Sequence, residues 1–199
     1  LRPWADITLL DLPGCVPGDA VGSTPALEQL LSDIADGAPD SAVYVGWSLG
    51  GQIATALAAQ SPELVQALVT ICTNPSFIAV DDWPGMDAQI FRAFRAGVRA
   101  DPAAALRRFD SLQATGSTRP RQLLRELQRQ RRGAATVELS VGLGWLESLD
   151  LREPLSGLTQ PQLHLLAGQD ALVPNQVERS IAQVMTHSAR SVVKTLPRA

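Results

Sequence analysis

Hydrophobic and polar positions follow two different patterns in different parts of the chain. In residues 1–73 and 150–199, short apolar runs alternate with longer runs whose apolar residues recur at helical spacing. The short runs predict strands: Asp6–Leu10, Ser41–Val45, Val65–Cys72, Gln162–Ala167 and Ser191–Leu196. The longer runs predict helices: Pro25–Ile34, Gln52–Ala59 and Asn175–Met185. Strands that alternate with helices indicate an α/β fold with a parallel sheet.

The alternation stops in residues 74–149, where the pattern is helical. Asp82-Trp83-Pro84-Gly85 is a turn signal, and helical segments follow it as far as about Arg132. A further helical segment, Val137–Leu149, places four leucines on adjacent faces. We therefore predict an all-helical insertion at 74–149, between two parts of one α/β core at 1–73 and 150–199.

The sequence Gly46-Trp47-Ser48-Leu49-Gly50 lies between a predicted strand and a predicted helix. In that position G-x-S-x-G is typical of a nucleophile elbow, a sharp turn that exposes its serine at the edge of a sheet. Glycines at 46 and 50 fit such a turn, because a side chain at either position is expected to collide with the neighbouring strand or helix. The alternative is a connection in which Ser48 only caps the following helix. The flanking elements favour Ser48 as a nucleophile.

A serine nucleophile needs a histidine to accept its proton and a carboxylate to orient that histidine. Asp170 follows a predicted strand, which puts it at the same carboxyl edge of the sheet as Ser48. The alternative is that Asp170 only caps a turn or a helix. The chain has two histidines. His164 lies within a strand and is predicted to pack in the core, whereas His187 precedes the last strand, at the wrong end of it for catalysis.

Charge is distributed unevenly along the chain. The net charge is −3, but residues 92–132 contain eleven arginines and three acidic residues, a net charge of +8 that leaves −11 for the remainder. Such a basic segment attracts polyanions, although a solvated helix face is the ordinary interpretation of a run of charge. No recognisable nucleic-acid-binding motif accompanies the arginines, so no nucleic-acid partner is predicted.

Several classes of protein are excluded by what the sequence lacks. No apolar run approaches the roughly 18 residues of a membrane span, and the first ten residues do not form a signal peptide. Cys15 and Cys72 do not have the spacing of metal ligands, so neither a metal site nor a cofactor is predicted. Two buried or idle thiols are more typical of a reducing compartment than a disulfide is. We therefore expect a cytoplasmic protein.

Six segments together resemble the BioH-like pimeloyl-[acyl-carrier protein] methyl ester esterases of biotin synthesis. They are Asp11–Gly14, Gly46–Gly51, Ala67–Thr70, Asp82–Gly85, Arg108–Gln113 and Asp150–Arg152. The tryptophan inside the elbow, the D-W-P-G turn and the R-F-x-x-L-Q segment are more selective than the elbow itself. The resemblance implies an α/β-hydrolase core, with a mostly parallel sheet and helices on both faces, and an inserted helical cap.

The resemblance also implies roles for individual residues. Ser48 is expected to attack the ester carbonyl, the Leu49 amide to share the oxyanion charge, and Asp170 to hold the histidine. The positions expected to contact the substrate are Trp47, Phe109, Asp110, Ser111, Leu112 and Gln113. The positions expected to dock an acyl carrier protein are Arg108, Arg121 and Arg125, while a further arginine of the family's pattern is Ala104 here.

Two parts of the family's site have no counterpart in these 199 residues. The family's catalytic histidine follows the last strand, and its second oxyanion donor lies in a loop that would precede Leu1. The chain is therefore expected to be truncated at both ends and to be inactive as it stands. The intact protein is expected to be a monomer.

The implied function is that of a serine carboxylesterase that hydrolyses the methyl ester of pimeloyl-[acyl-carrier protein]. One alternative is an α/β hydrolase that acts on free short-chain esters or lactones and whose arginines are incidental. An alternative of another class is a non-catalytic basic binding module.

Overall fold

Four parallel strands form the sheet on which the candidate site is built. The computed structural model describes residues 4–13, 26–39, 41–130, 139–185 and 190–197. The strands pair in chain order: β1 (Ala42–Trp47), β2 (Val65–Ile71), β3 (Gln162–Ala167) and β4 (Ser191–Leu196). Because all four are parallel, their carboxyl ends lie at one edge of the sheet.

Eight helices connect and cover these strands in the described ranges. They are α1 (Leu27–Gly37), α2 (Leu49–Gln60), α3 (Ala88–Ala100), α4 (Pro102–Ala114), α5 (Pro120–Gln130), α6 (Leu139–Ser148), α7 (Arg152–Gly157) and α8 (Val177–Val184). The predicted helices at the start and end of the chain are confirmed as α1, α2 and α8. Four helices, α3–α6, lie between β2 and β3, where the alternation of the sequence stops. The short helix α7 was not predicted.

One face of the sheet carries the main core. Leu68 of β2 and Leu166 of β3 are buried in one cluster with Leu57 of α2 and Ile181 of α8. On the opposite face the side chains of the outer strands are exposed: Val43 by 52%, Val45 by 63% and Val192 by 53%. This alternation of buried and exposed positions follows the two-residue period of a strand.

The strand predicted at Asp6–Leu10 is wrong, because residues 5–12 have no regular secondary structure. Ile7 and Leu9 are 51% and 86% exposed. A strand is stable only when a neighbour takes up its backbone hydrogen bonds. In the described part of the chain β1 pairs with β2 alone, and residues 5–12 pair with no strand.

Local signals define the helices between β2 and β3. Asp87 accepts hydrogen bonds from the first amides of α3, and Asp101 accepts one from Ala104 at the start of α4. The rings of Phe94 and Phe109 pack 5.8 Å apart and join α3 to α4. None of the described helices combines the length and the apolar character needed to cross a membrane.

Candidate active site

Ser48 occupies a strained turn between β1 and α2. Its φ is +51°, in the left-handed region that side-chain-bearing residues rarely adopt. The Ser48 amide donates to the carbonyl of Ile71 at 2.9 Å, and the Ser48 carbonyl accepts from the Gly51 amide at 2.9 Å. The Ser48 side chain makes no capping hydrogen bond to α2. The structure therefore contradicts the alternative in which this serine only caps the helix.

The glycines around Ser48 differ in how much room they have. A Cβ atom at Gly46 would lie 2.3 Å from the Gly50 carbonyl oxygen, as the elbow interpretation predicts. At Gly50 the prediction is wrong, because a Cβ there would meet no described atom within 4 Å. Gly51 is the second crowded position, where a Cβ would lie 2.1 Å from Thr73 Oγ1. Gly50 thus has room for a side chain, although its own carbonyl group is what crowds Gly46.

Asp170 lies three residues beyond β3, at the carboxyl edge that also carries Ser48. Its Oδ1 accepts hydrogen bonds from the amides of Leu172 at 2.8 Å and Val173 at 3.1 Å. The turn contact considered as an alternative is thus present, and it holds the carboxylate in place. Strand β2 separates β1 from β3, so the two candidate segments leave the sheet about 10 Å apart, two strand spacings.

His164 is buried in the core, as predicted, with 2% of its surface exposed. Its Nδ1 lies 2.7 Å from Thr70 Oγ1, and its Nε2 lies 3.1 Å from Gln162 Oε1. Burial lowers the pKa of His164 to about 4, so the ring is neutral at ordinary pH. With both nitrogens engaged, His164 is not a base for Ser48. His187 lies outside the described residues.

Two of the segments that lie between β2 and β3 contact residues at the carboxyl edge of the sheet. A Cβ at Gly142 of α6 would lie 3.2 Å from Leu49 Cδ2, beside the elbow. Gly116, between α4 and α5, has a φ of +83°, and a Cβ there would lie 2.6 Å from Gln169 Cβ, next to Asp170. The region between β2 and β3 therefore contacts residues next to both Ser48 and Asp170.

The predicted substrate-binding residues of α4 point in different directions. Asp110 is buried, Phe109 and Gln113 are half-buried, and Ser111 and Leu112 are exposed. Successive helical residues are about 100° apart, so five in a row cannot all line one surface. Trp47, at the end of β1, is 59% exposed.

The predicted docking residues Arg108, Arg121 and Arg125 all lie exposed on α4 and α5. Arg121 and Arg125 are one turn apart on the same helix face. A cavity of about 170 Å³ between α4 and α5 has Arg121 at its rim. Two other arginines of the basic segment are paired internally, Arg95 with Glu147 and Arg129 with Glu126.

Comparison with known proteins agrees with this architecture. The model of the alpha/beta hydrolase fold family matches residues 5–195. The chain belongs to this family. Within the family it is 40% identical over 172 residues to a pimeloyl-[acyl-carrier protein] methyl ester esterase of Citrobacter koseri, a match that covers 85% of this chain and 67% of that protein. It is 34% identical over 189 residues to the Salmonella newport protein of the same name, covering 94% and 73%.

Solved structures of other hydrolases share the fold. An esterase from Exiguobacterium antarcticum has a TM-score of 0.74 at 19% identity, over 86% of this chain and 64% of that one. An enol-lactonase from Burkholderia xenovorans LB400 has a TM-score of 0.76 at 18% identity, over 95% and 71%. The chain thus spans about two thirds to three quarters of the length of these relatives.

Two residues next to the site were missed by sequence reasoning. Cys72 was expected to be buried or idle, and Thr73 was not singled out. Cys72 is a free thiol beside the Asp170 carboxylate, and Thr73 Oγ1 donates to the Ser48 carbonyl at 3.1 Å. The available signal was their position directly after β2, at the edge where site residues gather in parallel sheets.

Proposed function

We propose that this α/β hydrolase cleaves the methyl ester of a pimeloyl group carried on acyl carrier protein. The observation that carries the proposal is the 40% identity to an esterase of that name over 85% of the chain. The chain is a carboxylic ester hydrolase by this relationship. The strained elbow at Ser48 supplies the local geometry that such an activity needs.

In the proposed mechanism Ser48 Oγ attacks the ester carbonyl carbon. The Leu49 amide, at the first turn of α2, has no partner within the helix and stabilises the oxyanion, helped by the positive end of the helix dipole. Methanol leaves, and water then cleaves the acyl-enzyme to give the free carboxylate of the carrier-bound chain. Asp170 orients the histidine that accepts the Ser48 proton and stabilises its charged form.

We assign the base to a histidine that follows β4, as the family resemblance implies. The Gly168 amide donates to the Leu196 carbonyl at 2.9 Å, so the end of β4 lies beside the loop that carries Asp170. A side chain that enters from this direction would meet the carboxylate before it meets Ser48. This order matches the acid–histidine–serine relay of serine esterases.

The helices at 74–149 serve as the cap in this proposal and select the substrate. Phe109, packed on Phe94, is the first choice for contact with the acyl chain, with Asp110, Ser111, Leu112, Gln113 and Trp47 as further candidates. Arg108, Arg121 and Arg125 are exposed cations that attract an acidic carrier protein. The cytoplasmic location and the monomeric state stay predictions from the sequence.

A hydrolase of free esters or lactones is the second candidate. The enol-lactonase and the esterase named above share only the fold, at 18% and 19% identity, and therefore do not favour it. A non-catalytic basic module is not favoured either, because a binding surface does not require a strained serine between a strand and a helix.

Labelling by a fluorophosphonate probe tests the enzyme assignment directly. We expect the full-length protein and the Ser32→Ala variant, altered at an exposed serine of α1, to be labelled equally. The Ser48→Ala variant should not be labelled, and its turnover of carrier-linked methyl ester should fall by at least about 10³-fold. Labelling that survives in the Ser48→Ala variant would contradict the proposal.

A further inference from the structure

The turn that follows β2 contacts both candidate catalytic segments. Cys72 has a φ of +48°, a strained conformation for a residue with a side chain. Its amide donates to the Leu165 carbonyl at 2.8 Å and so ties the turn to β3. Since β2 lies between β1 and β3, residues at its end lie between Ser48 and Asp170.

Thr73 contacts the elbow from this turn. It is 3% exposed, and its hydroxyl lies 3.1 Å from the Ser48 carbonyl oxygen and 3.2 Å from the Ile71 carbonyl oxygen. The same hydroxyl occupies the space next to Gly51, where a Cβ would lie 2.1 Å away. Thr73 thus supports the elbow through its backbone and through the first turn of α2.

Cys72 contacts the acid from the other side of the same turn. Its half-buried thiol lies beside the Asp170 carboxylate, within reach of a hydrogen bond to it. Burial, then the charge of Asp170 and this hydrogen bond, raise the pKa of Cys72 to about 11. The thiol therefore stays protonated beside the carboxylate, whose Oδ1 is held by two backbone amides.

We propose that Cys72 and Thr73 are positioning residues of the hydrolytic reaction. Together they hold the nucleophile elbow and Asp170 in fixed positions on either side of the end of β2. The proposal rests on the proposed roles of Ser48 and Asp170. Thr73 acts through the Ser48 backbone, and Cys72 acts through the Asp170 carboxylate. Cys72 also limits how strongly that carboxylate can stabilise a charged imidazole, because in this arrangement its thiol donates a hydrogen bond to the same carboxylate.

The contact between Cys72 and Asp170 can be tested without any activity. In a background in which every other cysteine is replaced by serine and every tyrosine by phenylalanine, the ultraviolet absorbance of the thiolate reports Cys72. We expect a titration midpoint near pH 11. In the Asp170→Asn variant we expect a lower midpoint that still lies above the ordinary cysteine value of about 8.5, because burial, the largest cause of the shift, remains. A midpoint that is the same with and without Asp170→Asn would overturn the Cys72 part of the proposal.

The pH dependence of kcat/KM tests the positioning role of Cys72. Removing the thiol in Cys72→Ala leaves the carboxylate freer to stabilise the imidazolium. The acidic limb should therefore move to higher pH, by about half a unit for the loss of one weak hydrogen bond. Cys72→Ser retains a donor, and its limb should stay at the parent position. If the parent is active and the acidic limb lies at the same pH in Cys72→Ala, the positioning role of Cys72 is contradicted.

The matched pair for Thr73 is Thr73→Val, which removes the hydroxyl at constant shape, and Thr73→Ser, which keeps it. We expect about tenfold slower fluorophosphonate labelling of Ser48 in Thr73→Val, with kcat reduced more than KM is raised, and near-parent labelling in Thr73→Ser. Equal labelling in both variants would overturn the role of Thr73. An inactive, unlabelled parent would instead refute the proposed function, so the two failures are distinguishable.

Discussion

The carboxyl edge of the sheet and the helices that cover it contribute to the site in different ways. At the edge, Ser48 and Asp170 are held by backbone hydrogen bonds of 2.8–3.1 Å and by glycines that leave no room for a side chain. On α4 and α5, the predicted docking residues are exposed arginines. In the proposed function, the edge depends on short-range packing, whereas the helices act through charge at long range.

This difference predicts which perturbations each region should tolerate. Added atoms at the edge should cause large losses of kcat/KM that do not depend on ionic strength. Changes of charge on α4 and α5 should have smaller effects that fade as salt screens the charges, since the screening length is about 8 Å at physiological ionic strength. Variants that add a single methyl group test the expectation for the edge. Measurements at low and high salt test the expectation for α4 and α5.

Gly46→Ala should have the largest effect. Its Cβ would lie 2.3 Å from the Gly50 carbonyl oxygen, so the elbow must shift to accommodate it. A displacement of about 1 Å at the nucleophile can cost about 100-fold in rate, and we expect a loss of kcat/KM of at least that size on any ester.

Gly50→Ala is the matched control for this variant, since a Cβ there meets no described atom within 4 Å. It should retain parent activity, and its unfolding midpoint in urea should not fall. Similar losses in Gly46→Ala and Gly50→Ala would mean that the elbow is not the rigid element described above.

Gly116→Ala should have the next largest effect, where the helices meet the edge. The φ of +83° and the 2.6 Å approach of a Cβ to Gln169 Cβ both oppose a side chain. We expect a loss of about 2 kcal/mol in the free energy of unfolding, together with reduced kcat/KM, because the loop of Asp170 must move. Urea unfolding measures the loss of stability, and ester turnover measures the loss of kcat/KM.

Gly97→Ala provides the contrast within α3, because no described atom lies within 4 Å of its added Cβ. Alanine is favoured over glycine inside a helix by roughly 0.5–1 kcal/mol, so this variant should be slightly more stable than the parent. A stable and fully active Gly116→Ala variant would show that the helices do not depend on this contact with the edge.

The core beneath the edge should respond to pH through His164. Its folded-state pKa of about 4 lies below the ordinary histidine value of 6.5, so between these values the unfolded chain binds more protons than the folded one. Stability should therefore be constant above pH 6.5 and fall by about 1.4 kcal/mol per pH unit from there toward pH 4. Urea unfolding at several pH values measures the slope.

The His164→Gln variant removes the titrating group and is the control for this slope. Its overall stability should be lower, because Thr70 and Gln162 lose a partner. The steepness between pH 6.5 and about 4 should nevertheless decrease. An unchanged slope would mean that carboxylates, and not His164, cause the acid sensitivity.

The regular elements of the core were predictable because their patterns are local. The strand before Ser48 and the helix after it appear in the sequence as an apolar run followed by helical spacing, and both are observed. Asp6–Leu10 has the same composition as a strand but is not one, because a strand also needs a neighbour, which no single segment can reveal. Helix α7 was missed because six residues with a proline give little periodicity.

The site was predictable where motif and topology coincide. Ser48 and Asp170 follow parallel strands, so their common edge follows from the order of the elements. The crowding at Gly51 and the contacts of Cys72 and Thr73 depend on how three strands lie beside one another. Those distances are not encoded in any one motif, which is why Gly50 was wrongly expected to be crowded as Gly46 is, and Gly51 was overlooked.

Turnover of a carrier-linked methyl ester against a free short-chain methyl ester, at low and at high salt, is the most direct test of the central claim. With the full-length protein, we predict that kcat/KM for the carrier-linked ester falls on the order of tenfold as salt screens Arg108, Arg121 and Arg125. The free ester should change less than about twofold, because a neutral substrate gains nothing from charge steering. Equal salt dependence of the two esters, or faster turnover of the free ester at low salt, would contradict a carrier-directed esterase.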